Sequence, residues 1–155
     1  FSERGLTGLA GWLADNEVTV FVATASLFRR FVRTLDGERL AGIRLVRLAS
    51  EPALDADFGL FRQTFAPPCV LMNHLGASEA GTLTCLLLGP DDQVPPGPLP
   101  VGRPVDGIEL VLVDEDGDPV PEGEAGEIVV HSRYLSPGYW VYKYPHWYIW
   151  GEMKK

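Results

Sequence analysis

A chain of 155 residues, 46% of them hydrophobic, is long enough to bury one real core or to form two small lobes. Its formal net charge of −8 excludes the basic face that a nucleic-acid groove or an anionic membrane surface requires, so a phosphate-bearing ligand would need local donors and a metal ion. Cys69 and Cys85 lack paired His or Cys at zinc-like spacing and read as buried, reduced thiols, and no apolar run reaches the ~20 residues of a membrane-spanning helix.

The start, Phe1-Ser2-Glu3-Arg4, has no basic or apolar leader region, which leads us to expect a cytoplasmic protein with no membrane association. It also lacks an initiator Met, so the chain is expected to be a piece of something longer. Leu6, Leu9, Ala10 and Leu13 recur at helical spacing up to Asn16, and Val18–Val22 follows as a β-branched strand. Ala23-Thr24-Ala25-Ser26 offers N-caps for a second helix, whose stripe of Leu27, Phe28, Phe31, Val32 and Leu35 runs until Asp36-Gly37 stops it. Residues 43–48 alternate as a strand, Leu54 to Phe65 reads as a helix ended by Pro67-Pro68, and Val70–Asn73 is again strand-like.

Strands alternating with helices predict a parallel sheet with helices packed on it, and in such sheets ligands gather at the carboxyl ends of the strands. Ser50-Glu51 and the run from Asn73 to Glu79 both fall there. Past Gly81 the pattern changes: residues 82–88 read as a strand, 89–100 as a Pro/Gly/Asp loop, and 108–113 and 125–131 as strands. The fold class expected is α/β, a partial parallel-sheet layer followed by a smaller antiparallel, distorted barrel-like β lobe. Its expected divisions are residues 1–89, 90–140 and an aromatic-rich tail at 141–155 that fits neither.

Gly76-Ala77-Ser78-Glu79 has the parts of a phosphate site: a Gly that lets backbone approach, a hydroxyl and free N–H groups to donate, and a carboxylate for Mg²⁺. The same residues also suit a strand-to-loop turn in which Ser78 caps a short helix and Glu79 lies in its first turn. Ser50 and Pro52 equally suit a pocket lip or an ordinary helix start, with Ser50 capping and Pro52 in the first turn. Asp114-Glu115-Asp116-Gly117-Asp118 places Gly fourth rather than sixth, which fails as a calcium loop and reads as an acidic hairpin turn.

Asn73-His74-Leu75-Gly76-Ala77-Ser78-Glu79, followed by Gly126-Glu127-Ile128-Val129-Val130 and Tyr134-Leu135-Ser136-Pro137-Gly138-Tyr139-Trp140, resembles two core motifs of the adenylate-forming (AMP-binding) enzyme superfamily. Residues 126–140 look more like the non-ribosomal peptide synthetase version than the fatty acyl one. The first family motif, Asn-x-Tyr-Gly-Pro-Thr-Glu, serves adenine, phosphate and magnesium. Here Leu75 replaces the stacking Tyr, Ala77 the Pro and Ser78 the Thr, while Glu79 is kept as the implied Mg²⁺ ligand. Ala49-Ser50-Glu51-Pro52 looks like the family's Gly-Gly-Glu segment without its glycines, and Val101-Gly102-Arg103-Pro104 is a further family-like, structural stretch.

The resemblance implies nucleotide contacts at Ser50, Glu51, Pro52, Asn73, His74, Leu75, Gly76, Ala77 and Ser78, and an acid-substrate pocket lined by His74 and Thr82. His74 also suits an ordinary rim or core histidine. The implied cofactors are ATP and Mg²⁺, with a phosphopantetheine thiol of a carrier domain or coenzyme A as acceptor. The family's Lys-Gly phosphate loop, its Thr-Gly-Asp ribose segment and its mobile catalytic Lys have no counterpart here; Lys143, Lys154 and Lys155 stand in the wrong context. The resemblance therefore implies the middle of an ATP-dependent ligase that activates a carboxylate, an amino acid by preference, and is inactive alone. An acyl- or aryl-CoA ligase and a non-catalytic scaffold of the same fold are the rival expectations, and an isolated piece is expected to self-associate.

Overall fold

The computed structural model describes residues 5–78, 80–121 and 125–132. They fall into two compact units, one of residues 5–76 and 84–103, the other of residues 77–83 and 104 onward. The loop at residues 89–100, where the sequence suggested a boundary, lies within the first unit. The tail at 141–155 and the motif residues 133–140 lie outside the described residues.

The first unit opens with a 3-10 turn, Leu6–Gly8, running into α1 (Leu9–Asp15), which buries Leu9 and Leu13. Three parallel strands follow: β1 (Val20–Ala23), β2 (Leu45–Leu48) and β3 (Val70–Asn73). They are in lateral register, with Val22 beside Arg47 beside Met72, and Ala23 beside Leu48 beside Asn73. Because strand side chains alternate, one face carries Phe21, Ala23, Val46, Leu48 and Leu71 into the core, and the other carries Val20, Val22, Arg47 and Met72.

On the core face lie α2 (Ala25–Val32) and α3 (Asp55–Thr64). Phe28, Phe31, Phe58, Phe61 and Phe65 are all at most 2% exposed, and Phe61 and Phe65 stack at 5.7 Å between ring centroids. Such rings supply most of the apolar area of a small core. Arg29 on α2 and Asp57 on α3 join in a two-pronged ion pair, Nε to Oδ1 at 2.6 Å and Nη2 to Oδ2 at 2.8 Å, and Oδ2 also accepts the Leu54 N–H.

Thr24 caps α2 as expected, its hydroxyl accepting the Leu27 N–H at 3.3 Å. The helix stops a turn before Leu35, because Thr34 donates its hydroxyl to the Phe31 carbonyl at 2.7 Å and Leu35 bonds back only to Val32. Leu27, expected in the apolar stripe, is 40% exposed. Burial pushes the Cys69 thiol up to about 11, which keeps it inert, while Cys85 is half-buried rather than buried; both are free thiols.

β4 (Gly76–Ala77) and β5 (Gly81–Thr82) pair as a two-residue ribbon. β6 (Thr84–Leu88) returns to the main sheet antiparallel to β3, so that sheet is mixed rather than purely parallel. The sheet runs β1-β2-β3-β6, with the two-residue β7 (Arg103–Pro104) last in order. Loop 97–101 is sewn to the sheet by side chains: the Asn73 amide donates to the Leu99 and Pro100 carbonyls, and Thr84 Oγ1 donates to Val101 O at 2.6 Å. Gly102, at φ 85°, lies so close to the Cys85 carbonyl that no side chain fits, which confirms the structural reading of its segment.

The described part of the second unit includes an antiparallel ladder, β8 (Ile108–Val113) with β9 (Glu127–Ser132), in which Leu110 pairs Val130 and Leu112 pairs Ile128. The acidic turn between them is a hairpin device. Asp114 accepts the N–H groups of Asp116 and Asp118 on one carboxylate oxygen, and Gly117 takes φ 87°. A side chain on Gly126 would meet the Val113 carbonyl at 2.7 Å, so this motif glycine is scaffold.

Candidate functional site

Three loops leave the carboxyl ends of β1, β2 and β3 side by side, bringing Thr24 to Ser26, Ala49 to Pro52, and His74 to Leu75 to one edge of the first unit. This is where an α/β sheet binds ligands, because the strand ends leave a crevice between diverging loops. Ser50 turns the chain there with φ 66°, a left-handed conformation that L-residues seldom adopt and that glycine takes freely. α3 begins only at Asp55, so Ser50 and Pro52 do not cap or open a helix, and that alternative is overturned.

Glu51 is held by the start of α2. The backbone N–H of Ser26 donates to Oε2 at 2.7 Å and the Ser26 hydroxyl to Oε1 at 2.8 Å. Those donors, the N–H first, hold its carboxyl below the ordinary carboxylate range. Glu51 is thus a fixed anion at the lip, and it already satisfies two donors that an incoming phosphate would otherwise use.

Asn73 is 4% exposed and its amide is committed to loop 99–100, so it shapes the edge from beneath. Leu75 is half-buried, with its backbone N–H and carbonyl both bonded to Thr84, which fixes an apolar side chain at the strand end. His74 accepts a hydrogen bond on Nε2 from Arg47 Nε at 2.9 Å. Burial, then the Arg47 charge, lower its pKa from the ordinary histidine value.

Gly76 is exposed at the end of the first unit, and Ala77, Ser78 and Thr82 belong to the second. Ser78 sits in the turn of the β4–β5 ribbon, where Ala80 N–H bonds the Ala77 carbonyl, and not at the start of a helix; the helix-capping alternative for Ser78 is therefore corrected. Glu79, the expected Mg²⁺ ligand, lies outside the described residues. Two residues were missed at the sequence level: Ser26, which anchors Glu51, and Arg47, which engages His74. A hydroxyl at a strand-to-helix junction and a cation alternating within an apolar strand were the available signals.

At this edge Leu75 offers an apolar face, Ser50 a tight turn and Glu51 an exposed carboxylate. Among the described residues no group of three or more acidic, His or Cys side chains could hold a metal ion, and no helix is long and apolar enough to cross a membrane.

A family model described as AMP-binding enzyme matches residues 3–140. Zwittermicin A synthase ZmaJ of Bacillus cereus is 30% identical over 131 residues, which cover 81% of this chain and 25% of that protein. The L-proline--[L-prolyl-carrier protein] ligase of Streptomyces coelicolor is 29% identical over 140 residues, 88% of this chain and 26% of that one. The crystal structure of IdnL1 superposes with a TM-score of 0.71 at 26% identity, covering 85% of this chain and 28% of IdnL1. The chain thus spans about a quarter of the length of these two relatives.

Proposed function

We propose, from the premise that this chain belongs to the AMP-binding enzyme family, that it forms part of the nucleotide and acid site of an ATP-dependent ligase which activates a carboxylate as its acyl-adenylate. The observation that carries this reading is the placement of Ser50–Pro52 and Asn73–Leu75 at adjacent carboxyl ends of parallel strands. In the reaction a carboxylate oxygen attacks the α-phosphorus of ATP, a C–O–P bond forms, and the bond to the β-phosphate breaks to release pyrophosphate. The protein must position the acid in line and offset the negative charge that accumulates at the phosphorus.

On this reading Ser50, Glu51, Pro52, Asn73, His74, Leu75, Gly76, Ala77 and Ser78 line the nucleotide, and His74 and Thr82 line the acid. Glu79 is the residue that would hold Mg²⁺, which supplies charge neutralisation to the phosphates. The chain's own charge of −8 and the fixed Glu51 anion make that counter-charge necessary. Leu75 binds the purine by apolar contact and not by aromatic stacking, so nucleotide affinity is lower than a Tyr would give.

The activated acid is an amino acid, and its acceptor is a phosphopantetheine thiol on a carrier domain; the L-prolyl-carrier relative supports this over coenzyme A. The 155 residues alone are inactive, because the remaining parts of the ligase complete the phosphate site. The test is trapping of the acyl-adenylate with hydroxylamine by the complete polypeptide, given ATP, Mg²⁺ and amino and aryl acids in turn. Hydroxamate with at least one acid is the expected result. A folded polypeptide that binds ATP yet yields none with any acid would leave a non-catalytic scaffold of this fold as the better account.

A further inference from the structure

We propose that Ser26 is a positioning residue for ATP binding, which clamps Glu51 and thereby fixes the turn at Ser50 that lines the nucleotide. The inference rests on the reading that this edge is the nucleotide side of an adenylating site.

The loop that follows β2 is fastened at alternate residues. Ala49 continues the parallel ladder, its N–H donating to the Ala23 carbonyl at 3.1 Å. Glu51 receives the Ser26 N–H on Oε2 at 2.7 Å and the Ser26 hydroxyl on Oε1 at 2.8 Å. Ala53 is buried, and its carbonyl accepts the Leu99 N–H at 2.8 Å. Between these anchors Ser50 and Pro52 stay exposed. Ser50 holds φ 66°, a conformation that an L-residue keeps only where the surrounding structure over-determines it. Backbone bonds secure the loop at Ala49 and Ala53, so Ser26 and Glu51 are the side chains on which the turn depends.

The clamp also has a direction. An ionised carboxylate only accepts, so the Ser26 hydroxyl gives its proton to Glu51 Oε1 and must itself accept from Thr24, whose Oγ1 lies 3.1 Å from Ser26 Oγ. Thr24 Oγ1 accepts the Leu27 N–H in turn. The cap of α2 and the loop after β2 are thus one chain of hydrogen bonds, each link polarising the next. It ends on a carboxylate that the Ser26 N–H and hydroxyl, above all, keep ionised. A loop ordered before the ligand arrives loses less freedom on binding, so the clamp acts on ATP affinity and not on the bond-making step.

The experiment uses the complete polypeptide that carries this chain. Affinity for ATP with Mg²⁺ is measured by calorimetry, and ATP–pyrophosphate exchange with whichever amino or aryl acid supports the fastest rate. Ser26→Ala keeps the N–H but removes the hydroxyl. It should raise the ATP dissociation constant and the ATP KM about tenfold, and leave kcat and the KM of the acid within about twofold. Ser26→Thr, which keeps both donors, should restore ATP affinity to within about threefold. In a Glu51→Ala background, Ser26→Ala should add less than about twofold, since its partner is already gone.

ATP affinity unchanged in Ser26→Ala, a loss that Ser26→Thr does not restore, an equal loss in ATP and acid KM, or a full tenfold loss in both backgrounds overturns the inference and leaves the adenylating function standing. No exchange with any acid overturns that function, and the inference falls with it.

Discussion

Ser50 holds φ 66°, which costs an L-residue about 1–2 kcal/mol, against the roughly 0.5–1 kcal/mol of chain entropy that glycine would lose on folding. Ser50→Gly is therefore expected to stabilise the protein by about 0.5–1 kcal/mol, read from its urea midpoint at unchanged slope; a loss of stability would contradict the strain. Two acid-sensitive residues sit at the same edge. His74 has a lowered pKa, so protonation favours the unfolded chain, and its contribution is complete above the ordinary value near 6.5 and is lost as pH falls below it. Glu51 is also lowered; its contribution is complete above about pH 4.3 and is lost as pH falls through its folded value. Denaturation midpoints from pH 7.5 to 3.5 should fall in these two stages, with His74→Phe removing the upper and Glu51→Gln the lower. A profile unaltered by either change would refute the assignment. The motif residues were legible in the sequence because they are contiguous. The Ser26–Glu51 and Arg47–His74 bonds were not, since each joins residues about 25 positions apart through strand register.

At the scale of elements, α2 and α3 are tied by the Arg29–Asp57 pair, in which the Asp57 side chain is 1% exposed and that of Arg29 32%. Asp57→Ala removes the partner of a half-buried guanidinium and the acceptor of the Leu54 N–H that starts α3; we expect a cost of about 2–4 kcal/mol in denaturant unfolding. Under 1 kcal/mol would class the pair with ordinary surface ion pairs. Hydrophobic period gave the helices and the strands longer than two residues in order, and β3 and β8 to the residue. It missed the early end of α2, which Thr34 sets by taking the Phe31 carbonyl, whereas the helix read from Leu54 to Phe65 is α3 to within one residue at each end. It also could not show that β6 rejoins the sheet antiparallel to β3, because that pairing depends on how the connection over residues 74–83 turns back on itself.

At the scale of the molecule, the first unit covers one sheet face with helices and leaves Val20 at 47%, Val22 at 56% and Leu87 at 58% exposed. Parallel sheets are ordinarily covered on both faces. Light scattering at micromolar concentration is expected to show the 155-residue chain self-associating, and Val22→Lys with Leu87→Lys should return it to monomer; a wild-type monomer would contradict this. The family was legible because its motifs are local runs whose glycines meet steric demands, as at Gly102 and Gly126. Substrate chemistry was not, since it depends on which side chains the sheet brings together.

The most direct test of the central claim is pyrophosphate release from ATP and Mg²⁺ in the presence of amino and aryl acids, run on the 155-residue chain, on the complete polypeptide and on its Glu79→Ala variant. The account predicts acid-dependent release by the complete polypeptide, a loss of at least about 100-fold in Glu79→Ala, and none from the 155 residues alone. Undiminished release in Glu79→Ala would remove Glu79 from the metal site, and a folded complete polypeptide that releases no pyrophosphate with any acid would contradict the claim that this edge serves acyl-adenylate formation.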